Sequence, residues 1–416
     1  MPTPPRDHEI DALQSGRPGI YLAIAVWAVV SGILVVASYR QLGGFGGFWD
    51  DRLTLGSEHE TGAWWSGGLL LMAGLLAVAA GEAMKTLAVQ TNVRKALSWA
   101  FRIFGVWLTI LCIDEWASLH ERYDWSDIII PRELRLPPIA LVMAVTSAWA
   151  LWTMWRHRAA LGSGPSAWLP TFMIAAGFGT MGSVYAIELA EHAITWPESW
   201  RPARLAFEEG LELLGMGMVL FALAWHWTGQ ADTRAARGET VRRAAVRIAV
   251  GLMCVAPLLI LLQHLMPLQG KWARMGVPGK AVPPMLLMIA CAVAWFAYLR
   301  GGRPRWLWLL ATAILLVTCF EAMAALQRWF FDIPMNKMRT DFAMIAAGGA
   351  LALLGVASRS RLWIAAGLVA VSLNLINFVT FKNPIMQLNA ALGAFAILAA
   401  IVIAAKPLPS APKPAS

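Results

Sequence analysis

The chain has 416 residues, 58% of them hydrophobic and only 14% charged, about half the charged share of a soluble domain. That balance excludes a water-soluble globular protein and points to an integral membrane protein. The net charge of +9 could suggest nucleic acid, but the cations fall in loops flanking apolar runs, where membrane topology explains them, so a nucleic-acid partner is excluded too.

Residues 1–19 are polar and hold Asp7, Glu9 and Asp11. No basic stretch leads into a short apolar run with a small-residue cleavage site. No removable signal peptide is therefore expected, and the first span serves as an uncleaved insertion signal. A helix needs about 20 apolar residues to cross a bilayer. On that rule the chain reads as an all-α polytopic protein of about twelve transmembrane helices. The predicted spans are 20–39, 64–84, 98–120, 137–156, 168–191, 206–227, 245–266, 282–300, 305–327, 341–358, 361–381 and 385–405. Residues 20–228 and 245–405 form two six-helix halves, joined by a cytoplasmic basic linker over 229–244. Residues 406–416 read as a disordered tail. The four cysteines, Cys112, Cys254, Cys291 and Cys319, lie singly in apolar runs and read as packing residues.

Twelve spans return the chain to its starting side. Lys and Arg are in excess on the side of the termini, most visibly at Arg234, Arg237, Arg242 and Arg243. The bias places both termini in the cytoplasm and the protein in the cell (inner) membrane. The acids gather on the opposite side, and three short stretches carry most of their interest. They are Asp114-Glu115 with His120-Glu121 at the end of span three, Glu188 with Glu191-His192 at the end of span five, and Glu208-Glu209 with Glu212 at the start of span six. Span parity alone delivers all three to one membrane level. Counting residues from the opposite ends puts Asp114 inside its helix, Glu212 roughly one turn inside and Glu188 near the interface. The predicted site is shallow.

Neighbours three and four apart share a helix face. Glu188, Glu191 and His192 therefore lie together, as do Glu208 or Glu209 with Glu212. Asp114, Ser118 and Glu121 form one stripe, and His120 points away from it. Eight like charges in a partly desolvated site cannot all ionise unaided. Shared protons, the nearby Arg122, Arg201 and Arg204, or a bound cation must compensate. Carboxylate plus imidazole suits a divalent Fe, Mn or Zn ion. The expected ligands are Asp114, Glu188, His192, Glu208 and Glu212, with His120 or Glu191 as general base and Ser118 positioning substrate. The pattern partly resembles carboxylate-bridged dimetal bundles, which take Glu-x-x-His from two helices. Here Glu188 and His192 are spaced one residue too far, so the likeness is one of ligand chemistry. The acidic loop after span one, with Asp50, Asp51, Glu58, His59 and Glu60, is similar in placement to the first outer loop of GT-C membrane glycosyltransferases. Solvated or capping acids at helix ends are the plain alternative for each stretch. His264 reads as packed or interfacial, while His157 and His226 fall toward the cytoplasmic side, away from the site.

The second half echoes the first. Cys319-Phe-Glu321 matches Cys112-Ile-Asp114, with Gln327 and Arg328 where His120 and Glu121 stand. Asn374 and Asn377 occupy the places of Glu188 and Glu191. Two parallel six-helix repeats would explain the pairs, and chance matching of short apolar segments is the alternative. Either way the second half reads as a neutral, non-binding counterpart, with the polar loop Asp332–Asp341 as a cover. The expected function is a metal-dependent membrane enzyme acting on a lipid or lipid-linked substrate, with membrane lipid and a lipid or small-molecule substrate as partners. The alternatives are a proton- or cation-coupled transporter, favoured by twelve spans in two halves, and a non-catalytic subunit of a membrane complex.

Overall fold

A computed structural model describes residues 17–42, 61–117, 132–162, 165–193, 197–230, 234–265, 281–300, 304–326, 339–380 and 383–406. Among them every regular element is helical. The α-helices are α1 Arg17–Leu42, α2 Thr61–Ala83, α3 Thr91–Ala117, α4 Arg132–Arg156, the one-turn α5 Arg158–Leu161, α6 Pro165–Ala193 and α7 Arg201–Gln230. They continue with α8 Arg234–Leu265, α9 Val282–Arg300, α10 Arg305–Leu326, α11 Arg339–Ala357, α12 Arg361–Thr380 and α13 Asn383–Ala404. Each long helix overlaps a stretch predicted as a span. Five contain stretches long and apolar enough to cross a membrane: Tyr21–Arg40, Trp65–Thr86, Thr91–Trp116, Val282–Leu299 and Gln387–Ala404.

The chain divides into two compact units, Met1–Asp232 and Thr233–Ser416. In the first, α2 packs on α3, α3 on α4, α4 on α6, α6 on α7 and α7 back on α2, which closes a ring; α1 lies against α7. In the second, α9 packs on α10, α10 on α11, α11 on α12, α12 on α13 and α13 back on α9, and α8 lies against α9 and α13. Within each unit, then, a first helix flanks a ring of five, and the last helix touches the first, second and fifth of the long helices.

Lipid offers no hydrophobic gain for burying one apolar helix against another, so close packing at small residues holds such helices together. The α6–α7 pair meets at Gly177 and Gly215. A Cβ on either would stand 2.7 Å from the other's carbonyl oxygen, so only glycine allows that approach. Aromatic rings fill the centre of the first ring of helices. Phe101 and Phe104 of α3 are fully buried; Phe104 stacks on Phe178 of α6 at 5.4 Å, and Phe101 meets His226 of α7 edge-on at 5.4 Å. Outward-facing positions stay apolar, as at Leu141, Val145 and Trp152 of α4, more than half exposed.

Two local features were not predicted. The basic stretch before span seven is helical, as the first turns of the 32-residue α8. There Glu239 takes two hydrogen bonds of 2.7 Å from Arg242 and one of 2.8 Å from Arg243. The turn between α11 and α12 closes on Arg359, at φ 53°, with Ser358 and Ser360 amides bonded back to Leu354 and Gly355 carbonyls. The cysteines are free thiols; Cys112 and Cys319 are buried, Cys291 is half-buried, and Cys254 is exposed.

Candidate functional site

Direct contacts fix how the helices of the first unit align, and the alignment locates the acidic stretches. On α2 and α3, the Ser66 hydroxyl donates a short hydrogen bond to the Glu115 carboxylate, and further along Ser98 Oγ donates to the Gly81 carbonyl at 2.7 Å. These two helices are thus antiparallel, with Ser66 level with Glu115. Between α3 and α6, Phe104 stacks on Phe178. Asp114 lies ten residues beyond Phe104 and Glu188 ten beyond Phe178, a rise of about 15 Å in each helix.

Helix α7 closes the set. Phe101 touches His226; Glu115 stands fourteen residues after the first and Glu212 fourteen before the second, about 21 Å along each helix. A Cβ at Gly177 would also meet Val219 Cγ2 at 2.7 Å. Glu188 lies eleven residues past Gly177, and Glu208 eleven before Val219. Positions 114–115, 188 and 208–212, with Ser66, therefore gather toward one end of the unit, as an acidic level about two helical turns deep.

The charges there differ in environment. Glu208 is 7% exposed, and its Oε1 lies 3.8 Å from Arg204 Nε, one turn earlier on α7. Asp114, Glu115, Glu209 and Glu212 are half-buried. The indole of Trp116, 5% exposed, occupies the space that Gly67 leaves on α2. Ser66 was missed from the sequence, because a lone serine in an apolar run carries no motif; only the α2–α3 register selects it.

The backbone at Glu188, Glu191 and His192 is helical, but their side chains lie outside the described set, as do Ser118, His120 and Glu121 altogether. The acidic loop of residues 50–60, the loop before Arg339 and the side chains of His264 and Glu321 are likewise outside it. Among the described residues, no group of three or more His, Cys, Asp or Glu side chains converges as a metal-binding set. Of the other histidines, His226 is buried and packed on Phe101, and His157 forms the joint between α4 and α5.

An open groove of about 740 Å³ runs between α1 and α7 at the same level. Its walls are apolar, from Val36, Phe207, Gly210 and Leu214, with Tyr39 and Arg40 at one end. Helical spacing puts Phe207, Gly210 and Leu214 on the face of α7 opposite Glu208 and Glu212. The groove lies behind the acidic face and does not lead into it.

The second unit holds a different polar cluster. Asp341, the border between the predicted covering loop and the predicted span 341–358, lies in the first turn of α11 and is 4% exposed. Asn377 of α12 donates to its carboxylate at 2.5 Å, and Asn389 of α13 donates to the Asn377 oxygen at 2.8 Å. Of the asparagines read as neutral replacements for Glu188 and Glu191, Asn377 is here the partner of a buried acid, and Asn374 donates to the Ala370 carbonyl.

Together these features define an all-helical protein with membrane-length apolar helices and an acidic level at one end of its first unit. Residues 19–227, half of the chain, match the profile of a family described as a domain of unknown function (DUF8692), and the chain belongs to that family. The matched stretch lies within the first unit and covers α1 to most of α7. No curated protein and no solved structure matches the chain.

Proposed function

We propose that the protein is a membrane-embedded enzyme whose acidic level binds a divalent metal and acts on a lipid or lipid-linked substrate. The observation that supports this most is the common level of positions 114–115, 188 and 208–212 on three helices of one unit. Carboxylates at the ends of membrane-crossing helices are costly unless they serve a site. Arg204 offsets one of them, and a divalent ion would offset two more. Asp114, Glu188, His192, Glu208 and Glu212 are the proposed ligands; His120 or Glu191 acts as base, and Ser118 positions the substrate. A metal of the Fe, Mn or Zn group would supply an activated water or, as iron, dioxygen chemistry. Substrates that partition into the bilayer reach a site at this depth directly. In this reading all twelve long helices cross the cell membrane, and the termini are cytoplasmic.

Elemental analysis of the purified protein tests it. The wild type should carry a transition metal that survives dialysis, and the Glu188→Gln/Glu212→Gln variant should lose most of it. Equal, negligible metal in both proteins, with activity on lipid extracts unaffected by chelators, removes the metal and with it this mechanism.

A second reading, a proton- or cation-coupled transporter, is favoured by the matching helix order of the two units. Parallel repeats of this kind occur in carriers. Liposomes holding the purified protein should then show substrate- or cation-dependent proton flux, and a silent membrane under every imposed gradient counts against it.

A further inference from the structure

The cluster in the second unit contains more polar oxygen than its own hydrogen bonds use. Asn374 stands one turn before Asn377 on α12 and is fully buried. Its amide nitrogen donates back to the Ala370 carbonyl at 2.8 Å, while its Oδ1 is buried and accepts no hydrogen bond. The side chain faces the α11–α13 junction. A Cβ at Gly393 of α13 would stand 2.9 Å from Asn374 Nδ2 and 3.4 Å from Met344 Cε of α11. Buried acceptors in folded proteins mostly find a donor, so the unfilled Asn374 oxygen is open to a ligand.

We propose that this junction binds a monovalent alkali cation, of the size of Na⁺, through the Asp341 carboxylate and Asn374 Oδ1. Asn377 and Asn389 form the hydrogen-bonded chain that holds the carboxylate in place. Oxygen donors of this kind select hard cations. Asn377, which holds the carboxylate, is about 4.5 Å from Asn374 along the helix, and oxygens around a cation of this size stand about 2.4 Å from it, so an ion beside that turn is within reach of both ligands. Charge sets the valence. One carboxylate among neutral amides balances one positive charge, and a divalent ion would leave an excess charge in a low-dielectric surround. The proposal rests on the second unit alone and is independent of the metal chemistry assigned to the first.

The test is thermal unfolding of the purified full-length protein in nanodiscs, in sodium, potassium or choline chloride at equal ionic strength. Sodium should raise the melting temperature in a saturable way relative to choline. The shift should vanish in Asp341→Asn, which keeps the side-chain shape, and in Asn374→Leu, which removes the ligand oxygen. Direct ²²Na⁺ retention by the wild type and not by Asp341→Asn provides a readout that does not depend on unfolding. Identical melting in all three salts overturns the proposal, as does a sodium shift that persists in both variants. A response to micromolar calcium without one to sodium overturns the choice of valence.

Discussion

Glu82 shows what a buried charge requires in this fold. Its side chain is 1% exposed, held by Arg102 at 3.1 Å across the α2–α3 contact and by Lys85 at 2.9 Å. Removing one partner leaves a buried carboxylate short of charge, so Arg102→Met should destabilise the protein by about 3 kcal/mol. Glu82→Gln in the same chain should restore much of that, as chemical unfolding in detergent would measure. Ser66 is a milder case at the other end of the same helix pair. Ser66→Ala removes one charge-assisted hydrogen bond from Glu115 and should cost about 1–2 kcal/mol. At this scale the sequence identified which residue types are costly in a membrane. It did not identify their partners, because Ser66, Arg102 and Asn377 reach their acids from other helices. Asp341 stood at the border of the predicted loop and span, and only the folded chain reveals that the helix starts two residues before it and buries its side chain.

Helices are where the sequence was most legible. Apolar runs marked where each long helix lies, though α3 and α8 start seven and eleven residues before their predicted spans. The ends were less legible, because helices continue past the apolar stretch where local pairs support them. Glu239 is such a support, at the polar start of α8. Its hydrogen bonds with Arg242 hold its carboxyl down to about 2 from the usual 4.5, with partial burial opposing and Arg243 adding to the effect. A lowered value means the stabilisation is complete above pH 4.5 and fades as the pH falls toward 2. Melting curves of the wild type and Glu239→Gln should therefore differ at neutral pH and converge across that acid window. At the α11–α12 turn, Arg359 holds a left-handed backbone that glycine adopts without strain. Arg359→Gly should raise stability by about 1 kcal/mol, readable in the same assay.

On the scale of the whole molecule, span parity predicts one side for the three acidic stretches; the helix contacts of the first unit set positions 114–115, 188 and 208–212 toward one end of it, and the side chains at 188–192 lie outside the described residues. Parity could not say how far each helix leans on its neighbours. That depends on glycine contacts such as Gly177 on Gly215, which composition does not reveal. The seam has a mechanical meaning. Because α6 and α7 touch backbone to backbone, they behave there as two arms joined at a fulcrum, with Glu188 eleven residues from the joint on one arm and Glu208 seven on the other. A single added methyl group at Gly215 widens the joint, and the separation of the acids grows with their distance from it. Gly215→Ala should thus cost about 1–3 kcal/mol in stability and also lower the retained metal, although it lies outside the acidic level. The gap between Glu188 and Glu208 is set by the absence of a side chain about three helical turns from the one and about two from the other.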